Sequence, residues 1–270
     1  MINVKSYTPK NVSHFIKSYW AIEIENCEND FYTETMIPDG HFEIIFHLQD
    51  NAARCNDDSC SWIKEPTAFL TGQSIQPFSI KLQKKSKLYG VRFHPHTLAL
   101  LVKFPLNEIT EQILEIDSLR FGRDLKSCLS CASEETYKNF DRFFESLFSK
   151  IGIQSNSFQY IHHTINLIQQ HRGDISVDTL LIKTGISGKY LDEIFKNYIG
   201  LTPKFFSTII KVNHFITLKN ENTDRRLIDC LNETNFYDQS HLIRTFRAIT
   251  AKSPKDYFRD NNFINNHFLA

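Results

Sequence analysis

Long hydrophobic runs are missing from this chain. No uncharged apolar stretch approaches the roughly 18 residues of a membrane-spanning helix, so no membrane span or membrane partner is expected. The opening Met1-Ile2-Asn3-Val4-Lys5-Ser6-Tyr7 lacks the apolar core of a secretory signal, which predicts a cytoplasmic protein. In that setting the six cysteines read as thiols rather than as a disulfide framework. Nine glycines and eight prolines in 270 residues are too few for a collagen-like, linker-like or wholly disordered chain. Net charge is missing too. Lys plus Arg and Asp plus Glu both number 31, which removes any strong global pull toward nucleic acid or acidic membrane. There is no glycine-rich phosphate loop and no G-x-S-x-G elbow. The expectation is a non-enzyme with no catalytic residues, cofactor or bound metal.

Phenylalanine is abundant, at 23 residues, so apolar cores can be built. The length predicts two domains at about 100–200 residues each. Residues 1–150 carry 17 basic and 20 acidic side chains, and residues 151–270 carry 14 and 11. This mild asymmetry permits nucleic-acid binding by the second half without demonstrating it.

The first hundred residues read as strands and turns. Ile22-Glu23-Ile24-Glu25 alternates apolar and polar, the period of a half-buried strand. Pro38-Asp39-Gly40 is a turn signal, and the β-formers of His41–Leu48 follow it. Phe78–Leu82 and Leu88–Phe93 predict two further strands, and Cys55–Cys60 a polar loop. From about residue 95 the period becomes helical, with Leu98, Leu101 and Val102 spaced i, i+3, i+4. Phe140, Phe143, Phe144, Leu147, Phe148 and Ile151 mark an amphipathic helix. That stripe either pairs two protomers or packs on the domain's own sheet. Residues 152–157 are uncharged and rich in turn formers, and residues 151–157 are read as a linker.

Everything beyond is helical. Ile161, Thr164, Ile165 and Ile168 form one stripe, stopped near Gly173. Ser176 can cap a short helix with Val177, Leu180 and Leu181 inward. Ser187 can cap another with Leu191, Ile194, Phe195 and Tyr198 inward. Gly200 ends it, and Pro203 starts a helix running to about Lys219. A repeat lies here. Phe195-Lys196-x-x-x-Gly200-x-Thr202-Pro203-x-x-Phe206 recurs as Phe246-Arg247-x-x-x-Ala251-x-Ser253-Pro254-x-x-Tyr257, offset by 51 residues. Each copy follows a short helix and a turn, the plan of a helix-turn-helix. The helix joining the two units is about 25 Å long at 1.5 Å per residue. With the width of the units added, that suits two reading helices in successive major grooves about 34 Å apart. The fold class is therefore α+β in two domains. A β-rich, barrel- or sandwich-like domain with flanking helices (1–150) precedes an all-α domain of two helix-turn-helix units joined by a long helix (158–260), with a tail over 261–270.

Residues 158–260 resemble the DNA-binding domain of AraC/XylS-type transcription regulators. The resemblance is carried by Ser187-x-x-Tyr190-Leu191-x-x-x-Phe195-Lys196-x-x-x-Gly200-x-Thr202-Pro203. It continues through Asn235-Phe236-Tyr237-Asp238-Gln239-Ser240-His241-Leu242-Ile243-Arg244-x-Phe246-Arg247 to Ser253-Pro254-x-x-Tyr257. The first half resembles an N-terminal domain found on some such regulators, through Pro38-Asp39-Gly40 and Gly90-Val91-Arg92-Phe93-His94-Pro95. The resemblance implies double-stranded DNA and RNA polymerase as partners, and allows a small-molecule effector and a homodimer.

It also implies base-facing positions at Gly188, Lys189, Asp192 and Glu193 in the first unit and at Ser240, His241 and Arg244 in the second. Arg244 can donate two hydrogen bonds to a guanine edge, worth about 1–3 kcal/mol of discrimination. Asp192 and Glu193 either accept from cytosine or form a solvated face, because phosphate repels them. The second unit is therefore expected to dominate affinity. Backbone contacts are expected from Ser187, Thr202, Lys204, Gln239, Arg247, Ser253 and Lys255, near helix starts where free N–H groups attract phosphate. Trp20, Phe46 and Phe93 are candidate walls of an effector pocket. Four positions depart from the family pattern: Asn235 where glycine is common, Leu181 and Leu231 where a small residue is common, and Lys211 where arginine is common. Asn235 tolerates a left-handed backbone, so its turn can survive.

A competing reading makes the first half a metal-binding or enzymatic β-domain and the helical half a protein-interaction module. His94-Pro95-His96 with His41 and His47 would supply metal ligands, but the following residues offer no glutamate until Glu108. Cys128-x-x-Cys131 and Cys55-x4-Cys60 give cysteine pairs without zinc-finger spacing. A third reading is a regulator that no longer binds DNA alone and acts through a partner.

Overall fold

The computed structural model describes residues 2–25, 30–56, 61–129, 134–152, 155–260 and 262–270. Ten strands come first: β1 (Ile2–Tyr7), β2 (Ile16–Ile24), β3 (Phe31–Met36), β4 (Glu43–His47), β5 (Ala53–Cys55), β6 (Ile63–Lys64), β7 (Ala68–Thr71), β8 (Phe78–Gln83), β9 (Lys87–Phe93) and β10 (Ile113–Glu115). They pair into a six-stranded sheet, β1-β2-β9-β4-β7-β10, and a four-stranded sheet, β3-β8-β5-β6. The two-residue period of each strand sorts the side chains into layers. Trp20 and Ile22 of β2 and Leu88 of β9 face the small sheet and meet Leu82. Tyr19, Ala21, Ile44, Phe46, Val91 and Phe93 face the other way. Gly90 lies opposite Trp20 in the β2–β9 ladder. A Cβ at Gly90 would sit 1.9 Å from the indole, so only glycine leaves room for it.

Two helices cover the outer face of the large sheet region, α1 (Gly122–Ser127) and α2 (Glu134–Phe148). The phenylalanine stripe packs on its own sheet. Phe140 lies 5.8 Å from both Tyr19 and Phe46, Phe144 lies 5.7 Å from Phe93, and Phe148 stacks on Phe15 at 4.0 Å. Buried Asp141 pins α2 by accepting from the Tyr19 hydroxyl at 3.2 Å and the Asn11 N–H at 3.0 Å. Two expectations are corrected. The helical spacing at Leu98–Val102 yields a single 3-10 turn, Leu98–Leu100, because Pro105 follows too soon for a helix to continue. Cys55 is the last residue of β5 rather than part of a loop, since the ladder pairs it with Ser79 of β8. Cys60, Cys131 and part of the 151–157 linker lie outside the described residues.

The rest is helical: α3 (Asn156–Gln170), α4 (Val177–Thr184), α5 (Gly188–Ile199), α6 (Pro203–Glu221), α7 (Leu227–Glu233), α8 (Gln239–Thr250), α9 (Pro254–Tyr257) and α10 (Phe263–Leu269). One apolar core runs through it, from Ile161 and Ile165 through Phe206 and Val212 to Phe246 and Tyr257. The Pro38-Asp39-Gly40 turn seats against α6. Gly40 has φ +82°, and a Cβ there would lie 2.7 Å from the Phe206 ring. Asn213 Nδ2 donates to the Pro38 carbonyl at 3.4 Å. Thr110 Oγ1 donates to the Gly200 carbonyl at 2.9 Å, tying the N-terminal half to the end of α5.

Candidate nucleic-acid interface

Each helix-turn-helix is built by its caps. Ser176, Ser187, Thr202, Asp238 and Ser253 sit at the starts of α4, α5, α6, α8 and α9 with extended backbones. Each accepts a hydrogen bond from a first-turn N–H. Pro203 and Pro254 follow their caps, where no N–H is needed. Left-handed residues end α4, α5 and α8: Gly185, Gly200 and Ala251. The repeat is thus realised element by element, with α4–α5 and α7–α8 as its two units.

The outward faces of α5 and α8 carry the predicted side chains. Lys189, Asp192 and Glu193 are exposed on α5, and Gly188 is half-buried at its start. Gln239, Ser240, Arg244 and Arg247 are exposed on α8. His241 differs. It is half-buried, its ring lies 5.7 Å from Phe236, and its Nδ1 is buried with no partner among the described residues. The hydroxyls of Ser187, Thr202 and Ser253 are occupied as caps, accepting from Tyr190 (3.3 Å), Phe205 (3.2 Å) and Asp256 (3.2 Å). Lys204 and Lys255 are exposed beside two of these starts.

A groove of about 900 Å³ opens between the units. Lys204 of α6 and Arg244 of α8 line it, with Phe205, Phe236 and Ile249 also in its wall. Sequence spacing alone did not bring Lys204 and Arg244 together. Tyr237 was also missed as a candidate. It is 92% exposed immediately before α8, so nothing inside the fold holds it. An aromatic in a turn that otherwise needs only small or polar residues is the signal that was available.

A polar knot ties the units to each other. Lys211 Nζ donates to Asp174 Oδ1 at 2.7 Å and to the Asn235 carbonyl at 2.9 Å, and Asn235 Nδ2 donates to Asp174 Oδ2 at 2.9 Å. Burial pushes the Asp174 carboxyl up, but the bonds from Lys211 and Asn235 outweigh it and hold its pKa below the ordinary value. Asn235 has φ +50°, the left-handed backbone that its amide tolerates. Leu181 and Leu231 are both half-buried against the helical core.

Residues 180–260 match the family model described as a helix-turn-helix domain. The second half of the chain carries a helix-turn-helix DNA-binding domain of the AraC type. Residues 5–115 match a second model, described as a domain of unknown function, DUF6597. No curated protein matches the chain. Among solved structures, a variant of apo ToxT from Vibrio cholerae strain SCE256 aligns over 89% of this chain and 97% of its own, at 12% identity and a TM-score of 0.49. ToxT of the same strain with a bound unsaturated fatty acid aligns over 95% and 94%, at 13% and 0.47. The AraC-like transcriptional activator CuxR aligns over 76% and 90%, at 12% and 0.24. These likenesses are distant.

In the N-terminal half a cavity of about 100 Å³ lies between the two sheets. Trp20 lines it with Ile45, Leu82 and Leu88. Phe46 and Phe93 lie outside it, on the opposite face of the sheet against Phe140 and Phe144. Strand alternation is the reason, since Ile45 points into the cavity and its neighbour Phe46 away. Gln73, also in the wall, is 1% exposed and its Nε2 finds no partner among the described residues.

The four histidines of the competing metal-site reading take separate partners. His41 Nδ1 donates to the Phe93 carbonyl at 2.8 Å, and His47 Nε2 meets Glu65 at 3.1 Å. His94 Nε2 donates to the Ser13 carbonyl at 2.9 Å, and His96 Nε2 meets His162 Nδ1 at 3.0 Å. Among the described residues no three His, Cys, Asp or Glu side chains converge as a metal-ligand set. No helix of the described residues is long and apolar enough to cross a membrane.

Proposed function

We propose that the chain is a DNA-binding transcription regulator of the AraC type, reading two successive major-groove segments of double-stranded DNA, one with α5 and one with α8. The repeat itself carries the reading: two capped helices with exposed outer faces, joined by an α6 of 19 residues, about 28 Å long at 1.5 Å per residue. Lys189, Asp192, Glu193, Ser240, His241 and Arg244 face bases in this reading. Ser187, Thr202, Lys204, Gln239, Arg247, Ser253 and Lys255 meet the sugar-phosphate backbone through side chains or helix-start N–H groups. Arg244 is the strongest single reader, since it is exposed on the groove between the units.

The cavity between the sheets is the seat of a small-molecule effector. An apolar wall around Trp20 and a Gln73 Nε2 without a partner among the described residues are the features a ligand site needs. An effector of this kind switches the protein only by binding the DNA-competent and incompetent states unequally. The reading extends to RNA polymerase and a second copy of the chain as partners, to a non-enzymatic role and to a cytoplasmic location. It divides the chain into a sensor (1–150), a linker (151–157), a DNA-binding domain (158–260) and a tail (261–270).

The test is selection of bound duplexes from a random pool by the full chain at two salt concentrations. Enrichment of a site with two half-elements about one helical turn apart is expected, with affinity falling steeply in salt. Absence of enrichment, with weak binding flat in salt, would overturn the reading.

A further inference from the structure

The last helix follows the DNA-binding half in the chain, yet it is anchored in the N-terminal half. Glu34 of β3 is 5% exposed, and its carboxylate accepts from the Ile264 N–H at 2.9 Å, the Asn265 N–H at 2.8 Å and Asn265 Nδ2 at 2.7 Å. Asn265 is 4% exposed, donates to the Thr35 carbonyl at 2.8 Å and accepts from the Ile37 N–H at 3.1 Å. Phe268 packs edge-on to Trp20 at 5.5 Å, and the Arg92 guanidinium lies 4.7 Å over its ring. Ile264 and Phe268 form part of the wall of the cavity between the sheets. The same short helix also holds α6. Thr217 Oγ1 donates to the Leu269 carbonyl at 3.0 Å, and Asn220 Nδ2 donates to Asn266 Oδ1 at 2.8 Å.

We propose that α10 is an intramolecular strap that closes the N-terminal cavity and clamps α6, the helix joining the two DNA-reading units, to the same seat. Seven residues are too few for a helix that stands alone in water. α10 therefore persists only while these contacts do. Glu34 makes the contact cooperative, because departure of α10 strips three of its hydrogen bonds at once and leaves the Tyr32 hydroxyl as its donor. Opening the cavity on this side and loosening the end of α6 are then one event, and any occupant that changes the seat of Phe268 acts on both. The strap stands on its contacts alone. Its coupling to an effector rests on the reading of the cavity given above.

Hydrogen exchange of the full chain tests it, with Phe268→Ala and Asn265→Ala as variants. Both are expected to speed amide exchange about tenfold in residues 32–37 and in residues 213–221 together, with the remaining core still protected. Trp20 is 2% exposed. Read in a Trp62→Phe background, its fluorescence should become open to acrylamide quenching. Acceleration confined to residues 263–269, with Trp20 still shielded, would overturn the strap. Should Asn265→Ala fail to fold, Phe268→Ala carries the test, because it leaves every Glu34 bond in place. Wild-type binding to a selected duplex is measured in parallel. Its absence counts against the DNA reading and leaves the exchange result to decide the strap.

Discussion

A buried imidazole sets how the junction between the halves responds to acid. His96 is 5% exposed, and burial with the nearby His162 and His94 pushes its pKa down to about 3. In the unfolded chain an imidazole titrates near 6.5. The folded state therefore resists the proton, and stability is full above about pH 6.5 and falls as pH drops toward 3. Between pH 6.5 and 5 the loss from this one group is about 2 kcal/mol, read from urea midpoints. His96→Gln should flatten that slope, and an unchanged slope would remove His96 as its source. At the same scale, Arg244→Ala should relax selection at one base position by about 1–3 kcal/mol while sparing the rest of the site. Single residues were unevenly legible in the sequence. Asn235 was read as tolerating a left-handed turn, and it has φ +50°. Trp20, Phe46 and Phe93 look alike as apolar aromatics, yet only Trp20 reaches the cavity. Which face of a strand an aromatic takes depends on its partners across the sheet, and a single sequence does not show them.

Helices with polar caps were the most legible elements. Ser176, Ser187, Thr202 and Ser253 announce helix starts through local hydrogen bonds that need no distant partner. β5, β6 and β10 left no pattern to see, being two or three residues long. The repeat also exposes an imperfection. Gly200 and Ala251 occupy equivalent left-handed ends, and Ala251 is exposed with φ +58°. Ala251→Gly should relieve the strained alanine and raise stability by about 0.5–1 kcal/mol after glycine's entropy is counted. Thermal unfolding measures it, and a lower midpoint in the variant would refute the strain. The Asp174–Lys211–Asn235 knot makes a second prediction for elements. Asp174→Ala should cost about 0.5–1 kcal/mol, the range for an exposed pair. The Asp174 pKa lies below its ordinary value, so the knot's contribution is present above the ordinary carboxylate range and fades as pH falls through the folded value. The variant should lose that acid sensitivity in urea titrations at pH 7 and pH 3.

At the scale of the molecule, a formal net charge of zero conceals a division of labour. The second half carries the excess of basic residues, and it is the half that matches the helix-turn-helix model. Composition showed that asymmetry but not the seam between the halves. Glu34 and Asn265 are 231 residues apart, and no periodicity links positions so distant. The seam has a consequence for synthesis. Domains fold as the ribosome releases them, the N-terminal one first. Sheets, Trp20 and Glu34 all emerge long before Ile264 and Phe268, so the nascent N-terminal half waits with one wall of its cavity open and the Glu34 carboxylate held by the Tyr32 hydroxyl alone. A message cut short before α10 would leave the N-terminal cavity open beside two helix-turn-helix units whose joining helix has lost its seat. An affinity tag fused close behind Leu269 would crowd the same seat.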